Sequence, residues 1–172
     1  MMEIVKSMAV PYSPGSPHEV IERYKDMVYR IACAYCKNRY DAEDITQEVF
    51  FRWLKKPLGF RSEEHMKAWL IRVTVNVSKS LLRSAWFKRT APLSEHENLH
   101  MQEQAQSGTY DAVMSLPEKY RAVVLLYYFE DYSVRDIAGI LRRTETAVQT
   151  QLQRARTMLK EMLKEEWQND QS

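Results

Sequence analysis

The sequence contains little of what most other classes of protein depend on. It has four glycines and six prolines in 172 residues, and no segment alternates apolar and polar residues as a half-buried strand does. These absences favour an all-α fold. No apolar run approaches the roughly 20 residues of a membrane span or resembles a signal peptide, so we expect a cytoplasmic protein without membrane insertion. The apolar content of 45% is still enough for buried cores.

A strong net charge is missing as well. The chain has 25 Lys and Arg against 23 Asp and Glu, a formal charge of +2. The whole molecule would therefore attract nucleic acid only weakly, and any DNA-binding function needs a local basic face or a larger partner.

Residues for metal binding or catalysis are sparse. Cys33 and Cys36 form a lone CxxC inside a helical pattern, which is too few ligands for a structural zinc site and lacks the preceding strand of a thioredoxin-like motif. We interpret both as small, semi-buried helix residues, with a thiol redox protein as a minor alternative. No catalytic triad, phosphate loop or metal cluster is evident, so we predict no enzyme activity, no cofactor and no metal.

Residues 132–156 have the spacing of a helix-turn-helix. Ser133 can cap a first helix with Asp136 as its reciprocal partner, Arg142 and Arg143 end that helix, and Thr144 can cap a second one. The outward residues of the second helix are of types that read bases or bind phosphates in a major groove: Gln149, Thr150, Gln153, Arg154 and Arg156. The alternative is a helical hairpin whose polar face is merely solvated.

Three more helices are predicted in the N-terminal half. After a tail at residues 1–15, Ser16 caps a helix that runs to about Cys36, and Asp41 opens a second helix that ends at the Lys-Lys-Pro-Leu-Gly segment. Ser62 caps a third helix that reaches roughly Ala85.

The second helix has a mixed polar and aromatic face. Its buried side is predicted to hold Ala42, Ile45, Val49 and Trp53. Its other side carries Asp44, Gln47, Glu48 and Phe51. The helix dipole explains part of this charge order, but not an exposed Phe. An aromatic side chain within a polar rim is typical of a protein-docking surface.

The third helix and its ends combine basic and aromatic residues. Its predicted surface carries Arg72, Asn76, Lys79 and Arg83. Arg61 precedes it, and Trp86-Phe87-Lys88-Arg89 follow. Proteins that bind single strands interleave such residues because bases stack on rings while phosphates pair with cations. The alternative is that the aromatic residues belong to the core.

A polar, amide-rich stretch at residues 90–108 predicts the boundary between two domains. After a short segment at residues 110–114, an S-x-x-E pattern at Ser115 and Glu118 predicts the start of a helix that continues to Phe129. Between Val134 and Lys164 there are seven basic and three acidic residues, so positive charge is concentrated on the helix-turn-helix segment.

Three motifs in this order resemble bacterial RNA polymerase sigma factors of the extracytoplasmic-function (ECF) group. The motifs are DAEDITQEVFFRW at residues 41–53, WLIRVTVNVSKSLLRS at residues 69–84, and LPEKYRAVVLLYYFEDYSVRDIAGIL at residues 116–141, continued by TETAVQTQLQRAR. Two departures stand out: the helix-turn-helix corner carries Arg142 where the family usually has Gly, and Gln149 and Gln151 replace residues that are commonly basic.

The resemblance implies two helical domains and a function in promoter-specific initiation. Region 2 would span residues 16–89, a linker 90–109 and region 4 residues 110–167, with flexible tails at 1–15 and 168–172. Residues implied to contact core polymerase are Asp41, Asp44, Gln47, Glu48, Phe50 and Phe51. Residues implied to read and open the −10 element are Phe60, Arg61, Arg72, Asn76, Lys79 and Arg83. Residues implied to read the −35 element are Arg143, Thr144, Gln149, Thr150, Gln153, Arg154 and Arg156.

The implied partners follow from that function. They are the clamp helices of the largest polymerase subunit, the polymerase flap through the C-terminal domain, promoter DNA in duplex and single-stranded form, and an anti-sigma factor. The alternative is a stand-alone helix-turn-helix regulator, which would bind duplex DNA without polymerase.

Overall fold

A computed structural model describes residues 12–36, 38–56, 59–88 and 108–169, excluding the side chains of 85–88 and 165–169. All regular secondary structure in these ranges is α-helical, which confirms the predicted fold class. The helices are α1 (Pro17–Cys36), α2 (Arg39–Lys55), α3 (Glu63–Lys88), α4 (Gly108–Ser115), α5 (Glu118–Tyr128), α6 (Val134–Leu141) and α7 (Glu145–Asn169).

The starts of α1 and α3 are set by the predicted serine caps. The backbone N–H of Glu19 donates to Ser16 Oγ at 3.3 Å, and the Glu19 carboxylate accepts from the Ser16 N–H at 2.8 Å. The N–H of His65 donates to Ser62 Oγ at 3.2 Å. Each bond satisfies a backbone donor that has no partner within its helix.

The start of α2 differs from the prediction. Asn38, not Asp41, is its capping residue: the Asn38 Oδ1 accepts from the Asp41 N–H at 3.2 Å, and its Nδ2 donates to Asp41 Oδ2 at 2.6 Å. The prediction that Asp41 opens the helix is therefore wrong, since α2 already begins at Arg39. Asn caps as well as Asp does, and the carboxylate three residues later completes the pair.

The S-x-x-E pattern before α5 is also not a cap. Ser115 is the last residue of α4, and its hydroxyl donates to the Asp111 carbonyl at 2.9 Å. The residue that precedes α5 is Pro117, and no side chain caps that helix. Pro117 ends α4 and presets the turn, so Ser115 cannot reach the N–H of Glu118.

Helices α1, α2 and α3 pack together as the N-terminal domain. Its fully buried side chains include Val28, Ile31, Ile45, Met66 and Leu70. Two hydroxyls also lie in this core, where Thr74 donates to the Leu70 carbonyl and Ser78 to the Thr74 carbonyl. Because these bonds are made within α3, the polar side chains are satisfied without a partner from another helix.

Helices α4 to α7 form the C-terminal domain around Leu125, Leu126, Ile137, Val148 and Leu152. The two domains touch directly, because α1 packs on α5 and α3 packs on α6. Several predicted features fall outside the described residues: the tail at 1–11, most of the linker, the end of the C-terminal tail at 170–172, and the side chains of Trp86 and Phe87.

Candidate protein- and nucleic-acid-binding surfaces

One face of α2 is exposed and partly apolar. Asp44 and Gln47 are exposed, and the Glu48 side chain is 41% exposed. Phe51 is 51% and Leu54 53% exposed, which is unusual for large apolar side chains in a helix that also has a fully buried stripe. We call these five residues the α2 face.

Two residues of the α2 face contact basic side chains one turn further along the same helix. Arg52 Nε lies 2.6 Å from Glu48 Oε1, and Lys55 Nζ lies 4.0 Å from the centre of the Phe51 ring. Exposed pairs of this kind contribute little stability, so a partner can replace them at small cost. Leu54 was missed by the sequence analysis, although its spacing of three residues from Phe51 places it on the same side of the helix.

Two predicted members of the docking set are not at this surface. Phe50 is only 6% exposed and packs in the core beside Val49, so its ring does not lie on the exposed face of α2 with the other predicted polymerase contacts. Successive helix residues point about 100° apart, which separates Phe50 from Phe51. Asp41 is partly buried and its carboxylate is engaged in the cap with Asn38.

The four predicted surface residues of α3 lie on one side of that helix, since they follow at intervals of four, three and four. Asn76 and Arg83 are exposed, whereas Arg72 and Lys79 are half-buried against the C-terminal domain. Arg72 Nη2 donates to the Gly139 carbonyl of α6 at 3.3 Å. Burial lowers the pKa of Lys79, and the nearby Arg143 guanidinium lowers it further.

The segment before α3 is fixed by an aromatic cluster. Phe60 is buried and packs edge-on against Trp69, with ring centroids 5.7 Å apart, and against His65 at 5.6 Å. Phe60, predicted as a −10 contact, therefore has its ring enclosed in this structure and does not present it to solvent. Arg61 is exposed, and its N–H donates to His65 Nδ1 at 3.2 Å.

The helix-turn-helix is formed as predicted. The Asp136 N–H donates to Ser133 Oγ at 3.1 Å, and the Ala147 N–H donates to Thr144 Oγ1 at 3.1 Å. Between the helices, Arg142 has a φ of 53° and a ψ of 52° in the left-handed region. An arginine thus adopts the corner conformation that glycine reaches without steric strain.

The outward face of α7 is open to solvent at most predicted positions. Gln149, Gln153, Arg154 and Arg156 are exposed, and Thr150 is partly buried, its hydroxyl donating to the Thr146 carbonyl. Arg156 is also engaged, since its Nε donates to the Tyr128 hydroxyl at 2.6 Å.

Two other predicted −35 contacts have structural roles at the corner. Arg143 Nη1 donates to Gln151 Oε1 at 2.7 Å, and Gln151 Nε2 donates in turn to the Lys119 carbonyl at 3.3 Å. Thr144 uses its hydroxyl as the cap of α7. These bonds join α7 to its neighbours and hold its first turns in place.

The two cysteines of α1 are free thiols. Cys33 is buried, and burial raises the pKa of its thiol to about 12, so the reactive thiolate is nearly absent near neutral pH. Within the described ranges, no group of His, Cys, Asp and Glu is placed to hold a metal ion. None of the helices in those ranges is long and apolar enough to cross a membrane.

Comparison with known proteins matches both domains. The family model for Sigma-70 region 2 matches residues 20–88, and that for Sigma-70 region 4 matches residues 109–159. RNA polymerase sigma factor SigV of Bacillus subtilis is 28% identical over 152 residues, covering 85% of this chain and 90% of that protein. ECF RNA polymerase sigma factor SigW of the same organism is 28% identical over 165 residues, covering 86% and 88%.

Solved structures share the fold. The sigma factor RpoE of Bartonella quintana, in complex with the anti-sigma factor NepR, aligns with a TM-score of 0.64 at 21% identity, covering 86% of this chain and 96% of that one. CnrH, in complex with the cytosolic domain of CnrY, aligns with a TM-score of 0.55 at 17% identity, covering 86% and 87%.

The two domains of this chain therefore match, in the same order, the two domains of a single class of transcription initiation factors. The chain belongs to the sigma-70 family of RNA polymerase sigma factors and has the organisation of its ECF group. Such proteins bind core RNA polymerase and direct it to promoters. They are initiation factors rather than enzymes.

Proposed function

We propose that the α2 face is the surface by which this sigma factor docks on the clamp helices of the largest polymerase subunit. The observation that carries the proposal is the half-exposed pair Phe51 and Leu54, flanked by Asp44, Gln47 and Glu48. Apolar anchors inside a polar rim suit a protein partner, and acidic residues suit a basic one. The cytoplasm is the corresponding location, since the polymerase works there.

Promoter reading is divided between α3 and α7 in this proposal. On α3, Arg72, Asn76, Lys79 and Arg83 form a basic and amide face suited to the unstacked strand of the −10 element, with Arg61 at its edge. The chain supplies no chemistry to this step. It lowers the free energy of the melted DNA by binding bases that have left the stack.

The −35 element is read by the exposed residues of α7. Gln149, Gln153 and Arg154 project from its N-terminal half, where a recognition helix meets base edges in the major groove. Gln is suited to adenine and Arg to guanine or phosphate. The modest charge of this face fits a subunit that binds promoters together with polymerase rather than alone.

Two further partners are proposed for the same chain. Tyr128 and Phe129 are exposed at the end of α5, which makes the C-terminal domain suited to contact the polymerase flap. An anti-sigma factor is expected because two solved proteins of this fold are complexes with such a factor or with a partner's cytosolic domain.

A charge reversal tests the docking surface. We expect Glu48→Lys to weaken binding to core polymerase and to reduce promoter-directed run-off transcription, with little change in the thermal unfolding midpoint. Glu22→Lys is the matched control, because Glu22 is also an exposed acidic residue paired with a cation one turn away, Lys25 Nζ at 2.7 Å. Equal affinities of the two variants for polymerase would refute the assignment.

The −35 assignment is tested by Arg154→Ala. We expect a loss of about 1–3 kcal/mol in promoter affinity of the polymerase complex if Arg154 contacts a base. Lys160→Ala, also exposed on α7 but two turns further on, is the control. A similar loss of affinity on templates that lack the −35 element would contradict base reading by Arg154. If the free chain bound promoters as tightly as its complex with polymerase does, the stand-alone regulator would be favoured.

A further inference from the structure

The two domains share one continuous apolar cluster, and their contact also contains a group of charged residues centred on one carboxylate. Glu130, in the turn after α5, has a side chain that is only 9% exposed. Its Oε1 lies 2.7 Å from Arg30 Nη2 of α1, and its Oε2 lies 3.2 Å from Lys67 Nζ of α3. Lys67 Nζ also lies 5.2 Å from the centre of the Tyr132 ring. We call these four residues the Glu130 cluster; it joins two helices of the N-terminal domain to one turn of the C-terminal domain.

A buried arginine provides a second polar contact between the two domains. Arg121 of α5 is 5% exposed, and its Nη1 donates to the Ala34 carbonyl, in the last turn of α1, at 2.9 Å. Its Nε donates to the Leu116 carbonyl at 2.6 Å. Carbonyls in the last turn of a helix lack partners within the helix and carry partial negative charge, so a guanidinium there is well placed.

The same contact covers part of the face proposed to bind the −10 strand. Arg72 donates to the Gly139 carbonyl of α6, and Lys79 lies among Arg143, Glu118 and Arg83. Both side chains are half-buried, whereas Asn76 and Arg83 remain exposed. While the C-terminal domain lies against α3, a single strand cannot reach Arg72 and Lys79 as freely as it can reach Asn76 and Arg83.

The contact between the domains also buries polar atoms that have no hydrogen-bond partner within the described part of the chain. The buried hydroxyls of Tyr35 and Tyr110 and the buried Nε of Arg72 have no hydrogen-bond partner among the described residues. Tyr35, on α1, lies near Arg143 and Glu118, and Tyr110, on α4, lies near Cys33 and Arg30 of α1, so both tyrosines are at the contact. A buried polar group without a partner destabilises the contact, and water would satisfy each of these groups on separation.

We propose that the C-terminal domain is an intramolecular competitor for the −10 strand, held over α3 in the free chain by the Glu130 cluster and Arg121. The masking part of this proposal depends on the proposed function of α3, whereas the closure does not. The α2 face stays exposed in the closed chain, so polymerase can dock there before the domains separate.

Charge reversal at the centre of the contact tests the closure. Glu130→Lys places a cation against Arg30 and Lys67, which should separate the two domains. We therefore expect the radius of gyration of the full chain, measured by small-angle scattering, to rise by roughly 4 Å as one compact molecule becomes two separate domains. Glu161→Lys is the matched control, because Glu161 is exposed on α7 and the charge change is identical. The triple variant that adds Arg30→Glu and Lys67→Glu should restore the smaller radius.

A second measurement tests the masking. We expect Glu130→Lys to bind a fluorescent single-stranded −10 oligonucleotide about tenfold more tightly than Glu161→Lys, if the closed state is about nine-tenths populated. Comparing these two variants removes the effect of added positive charge.

The outcomes separate the two parts. Equal radii for the wild type, Glu130→Lys and Glu161→Lys would overturn the closure. Expansion without tighter oligonucleotide binding would overturn the masking and count against the −10 assignment of α3. Failure of the proposed function itself would appear elsewhere, as loss of promoter-directed transcription by the wild-type chain with core polymerase.

Discussion

The adjacent residues Phe50 and Phe51 should respond in opposite ways to the same substitution. Phe51→Ala removes a ring that is 51% exposed on the α2 face, and Phe50→Ala removes one that is 6% exposed in the core. The chemical change is identical and the positions differ by one residue. Their comparison therefore isolates what burial contributes to stability and what exposure contributes to partner binding.

The expected magnitudes follow from the exposed areas. An aromatic side chain has roughly 200 Å² of surface, so about 100 Å² of Phe51 remains for a partner to cover. At about 25 cal/mol per Å² this is about 2.5 kcal/mol, an upper value of about 60-fold in affinity for core polymerase. For Phe50→Ala we expect a loss of about 3–5 kcal/mol in the free energy of unfolding, because the cavity is enclosed.

Two assays distinguish these effects. Urea unfolding should show a large loss for Phe50→Ala and less than about 1 kcal/mol for Phe51→Ala. Titration of labelled chain with core polymerase should show the loss of affinity for Phe51→Ala, whereas the folded fraction of Phe50→Ala should bind nearly as the wild type does. Wild-type affinity of Phe51→Ala would refute the assignment of the α2 face, and a stability loss as large as that of Phe50→Ala would refute the geometry.

Three further predictions concern stability and reactivity. Arg142→Gly should raise the free energy of unfolding, measured by urea titration, by about 0.5–1 kcal/mol. The strain of holding an arginine in the left-handed conformation costs more free energy than glycine adds through the greater entropy of the unfolded chain. A decrease in the free energy of unfolding would contradict this. Ser133→Ala should lower it by about 1 kcal/mol through loss of the α6 cap, and Ser115→Ala by clearly less, because Ser115 caps no helix; equal losses would argue against this difference. Burial raises the pKa of the Cys33 thiol to about 12, so roughly one thiol in ten thousand is ionised at pH 8. Cys33 should therefore react with a thiol reagent at this pH only after unfolding in guanidinium. Rapid reaction of the native thiol would show that the surrounding helices do not enclose it.

Interactions between residues close in the chain were the most predictable part of this protein. The caps at Ser16, Ser62, Ser133 and Thr144 join residues three apart, so their sequence pattern contains both partners of each bond. The helical spacing likewise predicted the buried stripe of α2 and the outward side of α7. The fold class, the helix-turn-helix and the order of three motifs followed from such local information.

Burial at the ends of helices and between them required the tertiary structure. Phe60 is a plausible surface aromatic until Trp69 and His65 are seen to enclose it, and Ser115 carries the same pattern as a true cap until Pro117 is seen to end one helix before the next begins. For Phe60 the deciding neighbours act through packing, which a pattern of residue types does not contain. For Ser115 the deciding residue lies within the pattern itself, and only the structure shows that its effect on backbone direction outweighs the capping signal.

The sequence by itself predicted six helices and the surfaces they could offer to polymerase and DNA, whereas α4 appeared only as a short segment before the fourth of them. Only the tertiary structure decided that Glu130 lies between Arg30 and Lys67, 100 and 63 residues away along the chain, and that α6 covers part of α3. From the sequence alone, each of these charged residues is expected to be an ordinary solvated surface group. Their joint position depends on how two domains meet, and that arrangement is set by long-range packing that no local pattern encodes.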